Sequence, residues 1–204
     1  MQQLYQIPEG GWVVGILLFD DVEVLDFCSP FEVFSTAGRT NGDKGARAPF
    51  RVFTLAEHPG LVRCRGGLSV QPDYSLDAAP PLDLLVVPGG WGTRREVSNT
   101  HLLDWIAARD RETLLTLSVC TGAFLLAERG LLDSLPATTH WASLDRLRTT
   151  YPRIDVRAEV RYVDTGHIVT SAGISAGIDM SLHIVSRLCG PAVAQTKARE
   201  MEYA

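Results

Sequence analysis

The sequence predicts an α/β protein of three layers, with a mainly parallel sheet between two layers of helices. Three observations predict it. Val13 to Phe19 is a short apolar run, and Leu82 to Val87 and Leu114 to Val119 are mostly apolar stretches, the pattern of strands buried on both faces. Segments with helical patterning alternate with such runs, which implies βα units. Small residues and glycines follow the runs, where a chain leaving a sheet must turn.

In order, Val13 to Phe19 is a central strand, ended by Asp20 and Asp21. Val22 to Phe27 is a connector that carries Asp26 between Leu25 and Phe27. Ser29-Pro30-Phe31-Glu32 reads as a helix start, with Ser29 as cap, Pro30 at the first position and Glu32 completing a capping box. That helix runs from Phe31 to Thr36 and ends near Gly38, and Arg39 to Ala48 is a polar loop. Phe50 to Ala56 is a second strand, and Val62 to Val70, with Gly66-Gly67 at its middle, is a hairpin. The Leu82 strand is followed by Pro88-Gly89-Gly90-Trp91-Gly92 and a helix from His101 to Glu112. After the Leu114 strand a helix runs to Gly130, and another leads from Trp141 to Tyr151, closed by Pro152. Val160 to Val163 and His167 to Ser171 form a second hairpin about Asp164-Thr165-Gly166. Gly173 to Gly177 opens a helix to Leu188; Cys189-Gly190-Pro191 breaks it, and a last helix carries the chain to Ala204. No repeat or linker divides the 204 residues, so residues 1–204 are expected to form a single domain.

Composition narrows the functional classes. With a net charge of -5 and no run of Lys or Arg, nucleic acid and anionic membrane are poor partners. No apolar stretch has the length of a membrane span, and residues 1–11 lack a signal pattern. The four cysteines, Cys28, Cys64, Cys120 and Cys189, are scattered singly and suit a reducing, cytoplasmic setting better than a disulfide framework. None stands at metal-ligand spacing from a histidine, so no metal site is expected.

Candidate site residues gather at the carboxyl ends of the predicted strands, where α/β sheets bind ligands. Ser118-Val119-Cys120-Thr121-Gly122 stands where a strand passes into a helix, with small residues on both sides of the cysteine, as a nucleophile elbow requires. There the sulfur meets the positive end of a helix, which favours the thiolate. A buried core cysteine is the alternative. The turn at Gly89-Gly90 offers exposed backbone N–H groups, and Thr121 adds an N–H and a hydroxyl; a plain turn is the alternative. Asp26, in an apolar neighbourhood, reads as an acid or base with a raised pKa, or as a helix cap. His140 reads as a group orienting a cysteine or carboxylate, or as a histidine bonded to backbone. Trp91 and Trp141 wall a pocket or simply pack, and Ile174, at a helix start after a strand, is placed to line it. His58, His101, His167 and His183 read as structural or exposed.

On these residues the chain resembles the ThiJ/PfpI superfamily over nearly its whole length. The matching pieces are Leu17-Leu18-Phe19, Leu25-Asp26 with Pro30 and Val33, Val86-Val87-Pro88-Gly89-Gly90, Ser118 to Ala123, Ala137-Thr138-Thr139-His140-Trp141 and Ser175-Ala176-Gly177-Ile178-Asp179. The resemblance implies a flavodoxin-like three-layer α/β/α sandwich with short hairpins. Protease and amidase members place a histidine after the cysteine, where this chain has Thr121, and amidotransferase relatives use a His-x-Glu that this chain lacks. The Cys-Thr-Gly elbow, Leu25-Asp26 and Ala-Thr-Thr-His-Trp resemble the isocyanide hydratase branch most, with a departure at Cys28-Ser29, where that branch has a small residue and a glycine.

That branch implies hydration of an isocyanide to an N-substituted formamide. Cys120 attacks the terminal carbon, Asp26 delivers the proton and helps activate water, and Thr121 with the Gly90 N–H holds charge or water. Ile174 lies on a flexible helix start lining the pocket. The resemblance implies a small-molecule substrate, no cofactor and a homodimer. A second class is the sensor domain of AraC-type transcription regulators, which shares the Asp loop, Ala-Thr-Thr-His-Trp and Ser-Ala-Gly motifs; the chain stops at Ala204 and keeps Cys120, which ranks this class second. Glyoxalase or deglycase chemistry, or oxidation of Cys120 as a redox sensor, are further alternatives.

Overall fold

The computed structural model describes residues 5–38 and 48–203. Its first strand is β1 (Trp12–Leu18), followed by α1 (Val24–Thr36) and β2 (Phe50–Ala56). Then come β3 (Val62–Arg63), β4 (Ser69–Val70), β5 (Tyr74–Ser75) and β6 (Leu84–Val87). The next elements are α2 (Thr93–Glu96), α3 (Thr100–Asp110), β7 (Leu115–Val119) and α4 (Ala123–Ala127). The chain continues through β8 (Pro136–Ala137), α5 (Leu144–Thr150), β9 (Asp155–Val156), β10 (Tyr162–Asp164) and β11 (Ile168–Ser171), and ends with α6 (Ala176–Cys189) and α7 (Pro191–Glu200).

Seven strands form one sheet in the order β10-β11-β7-β6-β1-β2-β5. All neighbours are parallel except β10 and β11. β1, β6, β7 and β11 are buried along their whole length, which is why β1 and β6 read as apolar runs, while β7 and β11 bury the polar Thr116, Ser118, Thr170 and Ser171 as well. From β1 the chain moves to β2 on one side, then returns past β1 to β6 and β7. With right-handed crossovers, that reversal puts successive helices on opposite faces. α1, α6 and α7 pack together on one face, and α3 and α4 on the other. The reversal also opens a crevice beyond the carboxyl ends of β1 and β6.

Both expected hairpins are present: β3 with β4, and β10 with β11. The short edge strand β5 and the one-turn α2 have too few residues to show a period and were not expected. The last helix stops at Glu200, short of Ala204. Most of the expected polar loop Arg39 to Ala48 lies outside the described residues. Among the described residues, no helix is long and apolar enough to cross a membrane.

The largest correction concerns α1. It starts at Val24, and Pro30 lies inside it. Its buried positions Asp26, Phe27, Ser29, Pro30, Val33 and Phe34 repeat at helical spacing from the connector onward, so packing on the sheet extends the helix back past the cap signal. The proline removes one N–H, and the Ser29 hydroxyl bonds back to the Leu25 carbonyl at 2.5 Å. Glu32 does not act in a capping box; it takes a hydrogen bond from the buried Lys197 ammonium at 2.9 Å. The result places Asp26 in the first turn of a helix rather than in a loop.

Candidate active site

The cysteine elbow forms where β7 ends. Val119 is extended, at φ -118°, and Cys120 swings to φ +57° before a tight turn, Cys120–Gly122, leads into α4. A non-glycine residue in the left-handed region is held there only by its surroundings, at a cost of about 1–3 kcal/mol. The holders are visible. The Cys120 N–H donates to the Ala172 carbonyl at 3.1 Å, and the Thr139 hydroxyl donates to the Cys120 carbonyl at 2.7 Å. Gly122 is required by space: a Cβ there would stand 2.0 Å from the Val87 carbonyl oxygen. The side chain so presented is nearly enclosed, at 6% exposure.

Asp26 reaches the same point from α1 and is fully buried. One carboxyl oxygen accepts the Gly89 N–H at 3.2 Å, and the other accepts the Ile174 N–H at 3.2 Å. The Asp26 carboxyl also lies against the Cys120 thiol, close enough that each shifts the other's proton affinity. Three chain segments that are remote in sequence therefore meet on one carboxyl. Ile174 holds its N–H in place with φ +56°, a strained value for a β-branched residue.

Electrostatics correct the expectation of a thiolate. Burial pushes the Cys120 thiol up, and the neighbouring Asp26 carboxyl adds to it. The Thr121 N–H and hydroxyl act in the opposite direction without overcoming burial, and the helix beyond the elbow is only five residues long. Burial also lifts the Asp26 carboxyl from 3.8 to about 7, against the lowering effect of its bond with Cys120. The resting pair therefore carries at least one proton near neutral pH.

The donors are arranged differently from the expectation as well. The Gly90 N–H is taken up by the Thr121 hydroxyl at 3.0 Å, so it is not a free oxyanion donor. The buried Thr93 hydroxyl joins them, 2.8 Å from the Gly90 carbonyl and 3.1 Å from the Thr121 hydroxyl. This network ties the glycine turn to the elbow. Gly90 has φ +134°, and a Cβ there would meet the Glu23 nitrogen at 2.4 Å. Thr93 and Thr139 carried no signal by themselves; Thr139 lay within the Ala-Thr-Thr-His-Trp motif, and Thr93 just past the glycine turn.

His140 does not reach Cys120 or Asp26. Its Nδ1 accepts the Ala142 N–H at 3.3 Å and caps the short turn that follows. Its ring covers Gly173, where a Cβ would stand 2.2 Å from the imidazole Cδ2. Burial lowers its pKa, so it is neutral at pH 7. The backbone-bonded alternative describes it, half-buried rather than in a core. Trp91 and Trp141 are exposed, at 56% and 78%. Arg94 lies 4.5 Å over the Trp91 ring and Arg65 5.3 Å from it. His101, His167 and His183 pair with Glu57, Asp110 and Asp164.

A buried carboxyl bonded to a cysteine on an elbow after a parallel strand is the arrangement the sequence pieces suggested. The family model described as "DJ-1/PfpI family" matches residues 13–187. The chain belongs to the DJ-1/PfpI family. The curated relatives include an enzyme and several transcription regulators. The isonitrile hydratase of Pseudomonas putida is 32% identical over 191 residues, covering 94% of this chain and 78% of that protein. The HTH-type transcriptional regulator GbdR of Pseudomonas aeruginosa is 32% identical over 174 residues, covering 85% of this chain but only 46% of the regulator. Among solved structures, a ThiJ/PfpI family protein from Pseudomonas syringae matches with a TM-score of 0.84 at 27% identity, covering 95% of this chain and 76% of that one. Family membership brings the flavodoxin-like architecture and is compatible with either catalysis or sensing.

Proposed function

We propose that this DJ-1/PfpI protein is a cysteine-dependent hydratase that converts isocyanides to N-substituted formamides. One observation carries the proposal: a fully buried Asp26 carboxyl, fixed by the Gly89 and Ile174 N–H groups and lifted to about 7, lies against the thiol of Cys120. A carboxylate of that basicity can take the thiol proton as sulfur attacks. The likeness to the isonitrile hydratase, over most of both chains, supports the substrate class.

The chemistry balances within the pair. Ionised Asp26 accepts the Cys120 proton while sulfur bonds to the terminal carbon of R–NC. Asp26 returns that proton to the same carbon, giving the thioimidate R–N=CH–S–Cys120. Asp26 then takes a proton from water as its oxygen adds to the carbon, and that proton passes to nitrogen. Collapse of the adduct breaks the C–S bond and releases R–NH–CHO, and the proton of the adduct's hydroxyl passes through Asp26 to the leaving sulfur, restoring the Cys120 thiol. The sum is one isocyanide plus one water to one formamide. The Thr121 N–H, already bonded to sulfur, stabilises the thiolate as it forms. The bonds from Gly89 and Ile174 aim the carboxyl at the reacting carbon. Trp91 and Trp141 at the mouth would meet R, and His140 shapes the wall through Gly173. We also take the protein to act as a cytoplasmic homodimer without a cofactor; its free cysteines suit that compartment.

The test is formamide formation from a panel of alkyl and aryl isocyanides, with Cys120→Ala and Asp26→Asn beside the wild type. Turnover should vanish in Cys120→Ala and drop at least 100-fold in Asp26→Asn. Turnover that survives Cys120→Ala overturns the mechanism. The likeness to GbdR favours a second reading, a ligand-sensing domain; binding of isocyanides or other small molecules with no turnover would select it.

A further inference from the structure

A cavity separate from the cysteine site is open in the described molecule. It has a volume of about 610 Å³ and lies beyond the carboxyl ends of β1 and β2, between the loop after β2 and the start of α3. That volume is in the range of small-molecule pockets. Leu18, Phe19, Ala56, Val62 and Leu102 give it an apolar floor, and neither Cys120 nor Asp26 lines it. Asp20, on the lining, packs closely against the glycine turn that follows β6: a Cβ on Gly92 would stand 2.1 Å from the Asp20 carbonyl oxygen.

Its polar side is built around two carboxylates that are held apart. The Asn99 side-chain nitrogen donates one hydrogen bond to Glu57 at 2.7 Å and another to Glu96 at 2.9 Å. The Asn99 oxygen caps α3 by accepting the Leu102 N–H at 3.2 Å, so the whole amide is fixed. His101 Nδ1 donates to the second Glu57 oxygen at 2.8 Å, and Arg95 donates to the second Glu96 oxygen at 2.8 Å. Glu96 is nine-tenths buried, at 5% exposure. Burial pushes the Glu57 carboxyl up, but bonds from Asn99 and His101 outweigh it and leave the group below its usual range, hence ionised. Asp20 is a third carboxylate on the lining, against a single guanidinium, Arg95. Among the described residues, no group of His, Cys, Asp and Glu is arranged to hold a metal ion.

We propose that this cavity is a second binding site, for a small organic ammonium with an apolar body. The apolar floor takes the body, and the ammonium, with three donors and no acceptor, answers carboxylates that have spare lone pairs. A neutral molecule of the same shape would leave the excess negative charge unanswered, and an anion would be repelled.

The experiment is calorimetric titration of the full chain with phenethylammonium, 2-phenylethanol and phenylacetate. Phenethylammonium should bind one to one, at least tenfold tighter than either of the others. Glu57→Gln should weaken it at least tenfold, and Ser98→Trp, which puts an indole on the cavity lining, should abolish it, while both variants keep the wild-type circular dichroism. Cys120→Ala should bind it as the wild type does, which separates this site from the isocyanide chemistry. Equal binding of the alcohol, an unchanged affinity in Glu57→Gln, or binding that survives Ser98→Trp would each overturn the proposal.

Discussion

Asp26→Asn tests the central electrostatic claim without reference to any substrate. The Asp26 carboxyl stands at about 7 in the folded protein against 3.8 when unperturbed, because burial disfavours its charge. A carboxyl raised in this way prefers to be protonated when folded. The wild type therefore loses stability as pH climbs from 3.8 towards 7 and levels off above that. At about 1.4 kcal/mol per pH unit, the loss totals about 4 kcal/mol. Asparagine carries no charge and lacks that loss at every pH. It does have one acceptor oxygen where Asp26 uses two, so either the Gly89 or the Ile174 N–H is left unpaired. A buried unpaired donor costs about 1–3 kcal/mol. The variant should then be less stable than the wild type near pH 4 by about 1–3 kcal/mol, and more stable near pH 8 by about the same amount. Urea unfolding at intervals from about pH 4 to pH 8 measures the difference directly. If the wild-type and Asp26→Asn stability curves run parallel across that range, Asp26 is not a buried group titrating near neutrality, and the assignment of the proton is wrong.

The same group sets the pH dependence of turnover. With ionised Asp26 as the acceptor of the thiol proton, kcat/KM should rise with pH through about 7 and then hold, as stopped-flow assays across that range would show; a profile falling through 7 would contradict the role. Thr121→Val removes the hydroxyl that accepts the Gly90 N–H, so unfolding free energy should fall by about 1–3 kcal/mol and turnover by about tenfold or more. Gly122→Ala drives a methyl against the Val87 carbonyl, a backbone atom of a central strand that cannot give way. It should cost about 3 kcal/mol or more and abolish soluble expression or lower the melting temperature by over about 10 °C.

Much of this protein was legible in its residues because the relevant physics is local. The apolar runs of β1 and β6 reflect burial on both faces, and β2 was delimited residue for residue. Small residues flanking Cys120 marked a turn that only small residues permit, and glycines marked the hairpin at Gly66-Gly67. Local signals failed at α1. Ser29-Pro30-x-Glu32 has the chemistry of a helix start, yet the apolar stripe that begins before it buries against the sheet and extends the helix to Val24.

The sequence alone determined the α/β layering, the strand-to-helix elbow at Cys120 and the set of segments that end on one side of the sheet. Only the tertiary structure decided the protonation of that set. Enclosure by α1, the glycine turn and Ile174 removes water from Asp26 and Cys120 together, and this raises both groups against the helix effect expected from the elbow. It also decided that the Gly90 N–H serves Thr121, and that Thr93 and Thr139 hold the elbow. Turn chemistry depends on neighbours in the chain; desolvation and hydrogen-bond partnership depend on neighbours in space, and at this site those come from segments up to 148 residues apart.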